Sequence, residues 1–218
     1  MEIDRKWSDV AWEAALPVYE KITQHPFVTG LADGTLPMEK FIFYLEQDSL
    51  YIQNYCRVLS SIAARVADPA LTETFLAFAA DGVAVEKAMH EVYLKEYGGR
   101  RAEPTPSCLL YMSLLSAQAT APVEVEAAAV LPCFWVYYEV GKAIAAKAKQ
   151  PNPFQSWIDT YSYPGFEESN QRAIDACDFL AGKASPDIRR RMTEIFVMAT
   201  KMEWLFWDSA YRLEKWKI

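Results

Sequence analysis

The chain has 218 residues, 52% of them hydrophobic, enough to bury a full core in one domain spanning 1–218. Aspartate and glutamate outnumber lysine and arginine by 29 to 22, a formal net charge of −7. That balance, with no long basic run, argues against nucleic acid or an anionic membrane surface as a partner.

Apolar residues recur with a helical period nearly throughout, glycine is sparse, and no run alternates as a strand would. The spacing predicts helices roughly over 3–23, 37–65, 70–97, 107–119, 123–149, 165–181 and 186–216. A short helical piece holds Trp157 and Tyr161. The breaks fall at Pro and Gly clusters, among them 24–36, 98–106 and 150–156. The expectation is therefore an all-α bundle. The opening residues MEIDRKWSDV hold no apolar leader core, and no apolar stretch is long enough to cross a bilayer. Cys56, Cys108, Cys133 and Cys177 lie far apart without a CxxC pair, so neither disulfides nor a zinc framework are expected. A reduced, cytoplasmic setting follows as the expectation.

Three of these helices carry polar groups on apolar faces. In 37–65, Tyr44, Asp48, Tyr51 and Tyr55 follow one another at steps of four, three and four, and so share a face. A carboxylate there is costly to bury unless it is paired. In 123–149, Cys133 and Tyr137 sit four apart, directly after Pro132. Proline either kinks the helix, freeing the Ala128 carbonyl, or starts a new one. A new start places Cys133 in a first turn, where unpaired N–H groups and the helix dipole favour a thiolate. In 186–216, Glu203 has Met202, Phe206, Trp207 and Tyr211 around it, surroundings that raise a carboxyl pKa. Each residue also has a plainer reading: Asp48 as a bonded structural aspartate, Cys133 as a small buried hydrophobe, Glu203 as a solvent-facing edge. Glu86 and His90 are spaced as a metal-ligand pair, but the chain has two histidines in all. A structural hydrogen bond, and no metal site, is the expectation.

Taken together, these residues resemble the TenA/thiaminase II family over essentially the whole chain. The matching pieces are His25-Pro26-Phe27 with Gly30-Leu31, Phe41-x-x-Tyr44-x-x-Gln47-Asp48-x-x-Tyr51, and Pro132-Cys133-x-Trp135-x-Tyr137-x-Glu139-x-Gly141. Trp157-Ile158-x-x-Tyr161, Phe166 and Glu203-x-x-Phe206-Trp207-Asp208-x-x-Tyr211 complete the series. The resemblance implies a haem-oxygenase-like helical bundle around a central pocket. It implies hydrolysis of an aminopyrimidine: thiamin, or its breakdown product 4-amino-5-aminomethyl-2-methylpyrimidine. The product would be hydroxymethylpyrimidine, for thiamin salvage. Carried over by position, Cys133 matches the nucleophile and Glu203 the acid/base carboxylate. Asp48, Tyr51, Tyr111, Tyr137 and Tyr161 match groups that bind and position the substrate. No cofactor is implied, the partner is a small molecule, and the assembly is a homo-oligomer, a tetramer by analogy. The rival expectations are a haem- or di-iron-dependent oxygenase on the same fold, and a non-enzymatic regulatory or binding protein.

Overall fold

The computed structural model describes residues 5–89, 103–162 and 164–218, the side chains of 85–89 and 162 excepted. The Glu86–His90 pair therefore lies outside the described residues. Ten α-helices are described: α1 (Trp7–Thr23), α2 (Pro26–Asp33), α3 (Met38–Arg65), α4 (Pro69–Met89), α5 (Pro106–Ala117), α6 (Val123–Val130), α7 (Pro132–Ala145), α8 (Gln155–Ser162), α9 (Pro164–Lys183) and α10 (Pro186–Arg212). There is no strand among the described residues.

Helix α10 is the centre. It packs against α1, α2, α3, α5, α6 and α7. Helix α3 runs beside α4, and α7 carries α8 on its outer side. The buried centre is aromatic, with Trp157, Trp207, Tyr44, Phe27, Phe41, Phe154 and Phe196 almost wholly enclosed. Trp207 of α10 is the platform, stacked on Tyr44 of α3 at 5.1 Å and 15° and contacting Tyr137 of α7 at 5.2 Å. Offset contacts of this kind add to the area they bury.

The structure corrects three sequence expectations. Residues 26–33, read as part of a break, form α2. Pro26 opens it with a preset φ, and the His25 Nδ1 accepts from the Phe27 N–H at 3.1 Å. Gly34 closes it at φ 70°, a left-handed position that glycine takes without strain. His25 is 5% exposed, with Nε2 3.5 Å from Asp208 Oδ1. Burial holds its pKa below the ordinary range despite Asp208, so the ring caps and braces α2 as a neutral group.

The helix expected over 123–149 is two helices, α6 and α7, separated by Leu131. Pro132 is the first residue of α7, and the Val130 carbonyl is taken by the Tyr55 hydroxyl at 2.9 Å. The fresh start, not the kink, is realised. The last helix stops at Arg212 because Leu213 adopts φ 51°. Glu214 then turns back to accept from the Ser107 N–H and hydroxyl, at 2.9 and 3.0 Å, holding the start of α5 against the end of α10.

Candidate active site

A cavity of about 340 Å³ opens between α3, α4, α7, α8 and α9. Asp48, Cys133, Tyr137 and Tyr161, four of the seven residues expected at the site, line it. A larger groove of about 540 Å³ lies between the starts of α1 and α10 and the end of α9, and contains none of the seven.

Cys133 is the second residue of α7 and, of the four cysteines, the one that is not buried. Its exposure is to the cavity. Tyr51 and Tyr55 reach the thiol from successive turns of α3. Burial nevertheless dominates. It pushes the thiol well above its ordinary range, Glu203 and Asp48 push the same way, and the two tyrosines offset only part of this. The thiolate expected from a first-turn position is therefore not the resting form; the enclosed, acidic surroundings outweigh the helix start.

Behind this wall sit the other three expected residues. Glu203, 1% exposed, accepts from the Tyr111 hydroxyl at 2.6 Å. Burial raises its pKa to about 8; the Tyr111 bond opposes the shift and Asp48 adds to it. The carboxyl is thus mainly protonated at neutral pH. Tyr51 packs tilted against Tyr111, centroids 4.7 Å apart, and its buried hydroxyl, without a close protein acceptor, is turned toward the Cys133 sulfur. A polar hydroxyl so placed is available to the sulfur or to a ligand.

Local sequence explains the placement. Asp48, Tyr51 and Tyr55 lie on one face of α3, and Tyr44, one turn before Asp48, meets the Tyr137 hydroxyl at 3.3 Å. Tyr161 packs on Tyr137 and Trp157, at 5.5 and 4.6 Å. It reaches them because Gly141 lets α8 close on α7. A Cβ there would stand 2.9 Å from both the Cβ and the carbonyl oxygen of Tyr161.

The cavity also includes residues that sequence reading did not select. Ile52 and Phe134 adjoin Cys133 and Asp48 beside Tyr55, which the period of α3 had already placed on this face, and a step of four from Asp48 was the available signal for Ile52. Phe78, Asp81 and Gly82 of α4, Thr160 of α8 and Ser169 of α9 complete the wall. Nothing in the α4 pattern marks Phe78 or Asp81. No group of three metal-binding side chains occurs among the described residues.

Solved TenA homologues share this architecture. One from P. horikoshii superposes with a TM-score of 0.86 at 29% identity, covering 95% of this chain and 99% of that one. Another, from Pyrococcus furiosus, gives 0.88 at 22% identity over 94% of this chain and 99% of its own. Among sequences, the chain is 33% identical to an aminopyrimidine aminohydrolase of Bacillus subtilis over 97% of its length and 92% of the relative's. It is 34% identical to the thiamine biosynthesis multifunctional protein ThiED of Corynebacterium efficiens over 92% of its length, but spans only 28% of that longer protein. The sequence model of the TENA/THI-4/PQQC family matches residues 12–213, and the chain belongs to that family.

Proposed function

We propose that the protein hydrolyses an aminopyrimidine to hydroxymethylpyrimidine for thiamin salvage, with Cys133 as nucleophile and Glu203 as proton carrier. The substrate is 4-amino-5-aminomethyl-2-methylpyrimidine or thiamin. The observation that carries this reading is the Cys133 thiol in the wall of an aromatic cavity, with the buried Glu203 acid, pKa about 8, close enough behind it to act on the thiol.

The aromatic walls suit a flat heterocycle, and Asp48 can accept from its ring amino group while Tyr137 and Tyr161 fix its plane. Sulfur adds to a ring carbon beside a ring nitrogen. Glu203 gives that nitrogen its proton and takes the thiol proton in exchange. Electrons returned from the nitrogen expel the group on the neighbouring exocyclic carbon, as ammonia from the aminomethyl compound or as the neutral thiazole from thiamin. Water adds to that carbon, a proton is lost, and the sulfur leaves, restoring the aromatic ring. One water is consumed and one ammonia or thiazole released, so no oxidant or external electron source enters the balance.

The B. subtilis relative's activity supports the reaction class. A cytoplasmic homotetramer belongs to the same proposal. No described helix is long and apolar enough to cross a membrane, and Leu109 and Leu110 on α5 stand exposed as apolar surface for a subunit contact. The test is to incubate the purified protein with each compound and follow hydroxymethylpyrimidine by chromatography. Product from either one supports the reading, and none from both overturns it.

A further inference from the structure

The cavity has two chemically different ends. Tyr55, Phe78, Tyr137 and Tyr161 make a buried aromatic end around Asp48 and Cys133. Asp81 is exposed, and Thr160 and Ser169 are half-buried, so these three are the polar groups in the more open part of its lining. They come from three helices, α4, α8 and α9. Their shared chemistry is oxygen acceptance: one carboxylate and two hydroxyls. Thr160 already donates its proton to the Ser156 carbonyl at 3.0 Å, which leaves its oxygen to accept. Among the described lining residues there is no lysine or arginine. Arg172 lies over the Phe78 ring at 5.3 Å and faces a neighbouring groove instead.

The position of Asp81 is built in. Its neighbour Gly82 meets α3 so closely that a Cβ would stand 2.8 Å from the Cys56 sulfur. Any larger residue would force either the Cys56 side chain or α4 beside Asp81 to shift.

We infer that Asp81, with Thr160 and Ser169, is a subsite for a cationic substituent on the exocyclic carbon of the substrate. The inference rests on the aminopyrimidine reading above and adds to it a basis for selection. An aminomethyl group is an ammonium at neutral pH, and a thiazolium is a permanent cation. Either meets a rim that carries a carboxylate and hydroxyl oxygens and no described cation, while the ring occupies the aromatic end. The hydroxymethyl product is neutral. Reaction therefore removes the charge that the rim holds, which favours release of product over substrate. Because Asp81 is exposed, the attraction is screened by salt.

The experiment is a KM-against-kcat comparison of the wild type with D81N, using the aminomethyl pyrimidine as substrate and hydroxymethylpyrimidine as competitive inhibitor. D81N should raise KM about fivefold, the size of effect a partly solvated charge pair supplies. The inhibition constant of the neutral product should stay within about twofold of wild type. D81K, reversing the charge at the same exposed position, should raise KM further, and added salt should narrow the gap between wild type and D81N. An unchanged KM in both variants, or an equal rise in KM and inhibition constant, overturns the subsite. Absence of turnover and of binding for both compounds in the wild type overturns the functional reading itself. Wild-type turnover with no selective effect of D81N overturns the rim alone.

Discussion

The Tyr111 hydroxyl donates to Glu203 Oε1 at 2.6 Å, joining α5 to α10 across 92 residues of sequence. Both groups are buried, and the bond is the one influence that holds the Glu203 pKa down against burial and Asp48. Deleting it has a signed consequence. In Tyr111→Phe the carboxylate loses its donor and the pKa of Glu203 rises further. A charge-assisted bond of about 1.5–3 kcal/mol corresponds to about one to two pKa units. The alkaline limb of kcat/KM against pH should move upward by that amount, while the acid limb stays. An unmoved alkaline limb would show that Glu203 is not the group titrating there.

Cys133→Ser should leave the fold intact, since the volume hardly changes, and lower turnover on the order of a thousandfold. The buried Cys56, Cys108 and Cys177 give the contrast. Serine at each should change stability and not chemistry. Because the Cys133 thiol is held well above its ordinary range, alkylation by iodoacetamide should be slow at neutral pH and rise with pH. Fast, pH-independent labelling of Cys133 would contradict the resting thiol.

Part of the cavity wall was legible because Asp48 with Tyr55, and Cys133 with Tyr137, sit at helical spacings on one face of their helices, whereas Tyr111 and Tyr161 rest on the resemblance. Asp48, Tyr51 and Tyr55 needed only the period of α3, and Cys133 with Tyr137 that of α7. What sequence could not give is which forces win once helices meet. The start of α7 promised a thiolate, yet burial and two carboxyl groups from α3 and α10 reverse the balance, and those arrive only through packing. Asp81 was illegible for a similar reason. An aspartate on an apolar helix reads as solvent-facing until Gly82 is seen to draw α4 against α3. The missed α2 is different. Pro26 and Gly34 are both helix breakers by type, and eight residues apart they are a start and a stop.

Gly141 and Gly182 make a paired prediction about packing. Both lie inside helices, where alanine is otherwise favoured by about 0.5–1 kcal/mol. At Gly182 a Cβ meets nothing within 4 Å, so Gly182→Ala should raise the melting temperature by a few degrees. At Gly141 a Cβ would press on Tyr161 backbone and side chain at 2.9 Å. Gly141→Ala should cost about 1–3 kcal/mol and, by moving α8, raise KM for the pyrimidine. Thermal unfolding of the two variants side by side checks the sign of each.

Glu203 also links stability to pH, and the direction follows from its displacement. The carboxyl titrates near 4.5 when unfolded and near 8 when folded. Below pH 4.5 it is protonated in both states, and its contribution to stability is fully present. Between about pH 4.5 and 8 the unfolded chain gives up the proton while the folded one keeps it, so stability falls as pH rises. Above pH 8 both states are ionised and the loss is complete. At about 1.4 kcal/mol per unit of displacement the total is a few kcal/mol. Glu203→Gln keeps the shape and an acceptor for Tyr111 but has no proton to lose. Its stability should therefore be flatter than that of the wild type from pH 5 to 8, even as turnover collapses for want of a proton carrier. Chemical denaturation of both proteins across that range, with substrate binding and turnover measured separately, decides the matter. Parallel stability curves would mean that Glu203 is ionised in the folded protein at neutral pH, and would remove it as the acid that protonates the ring.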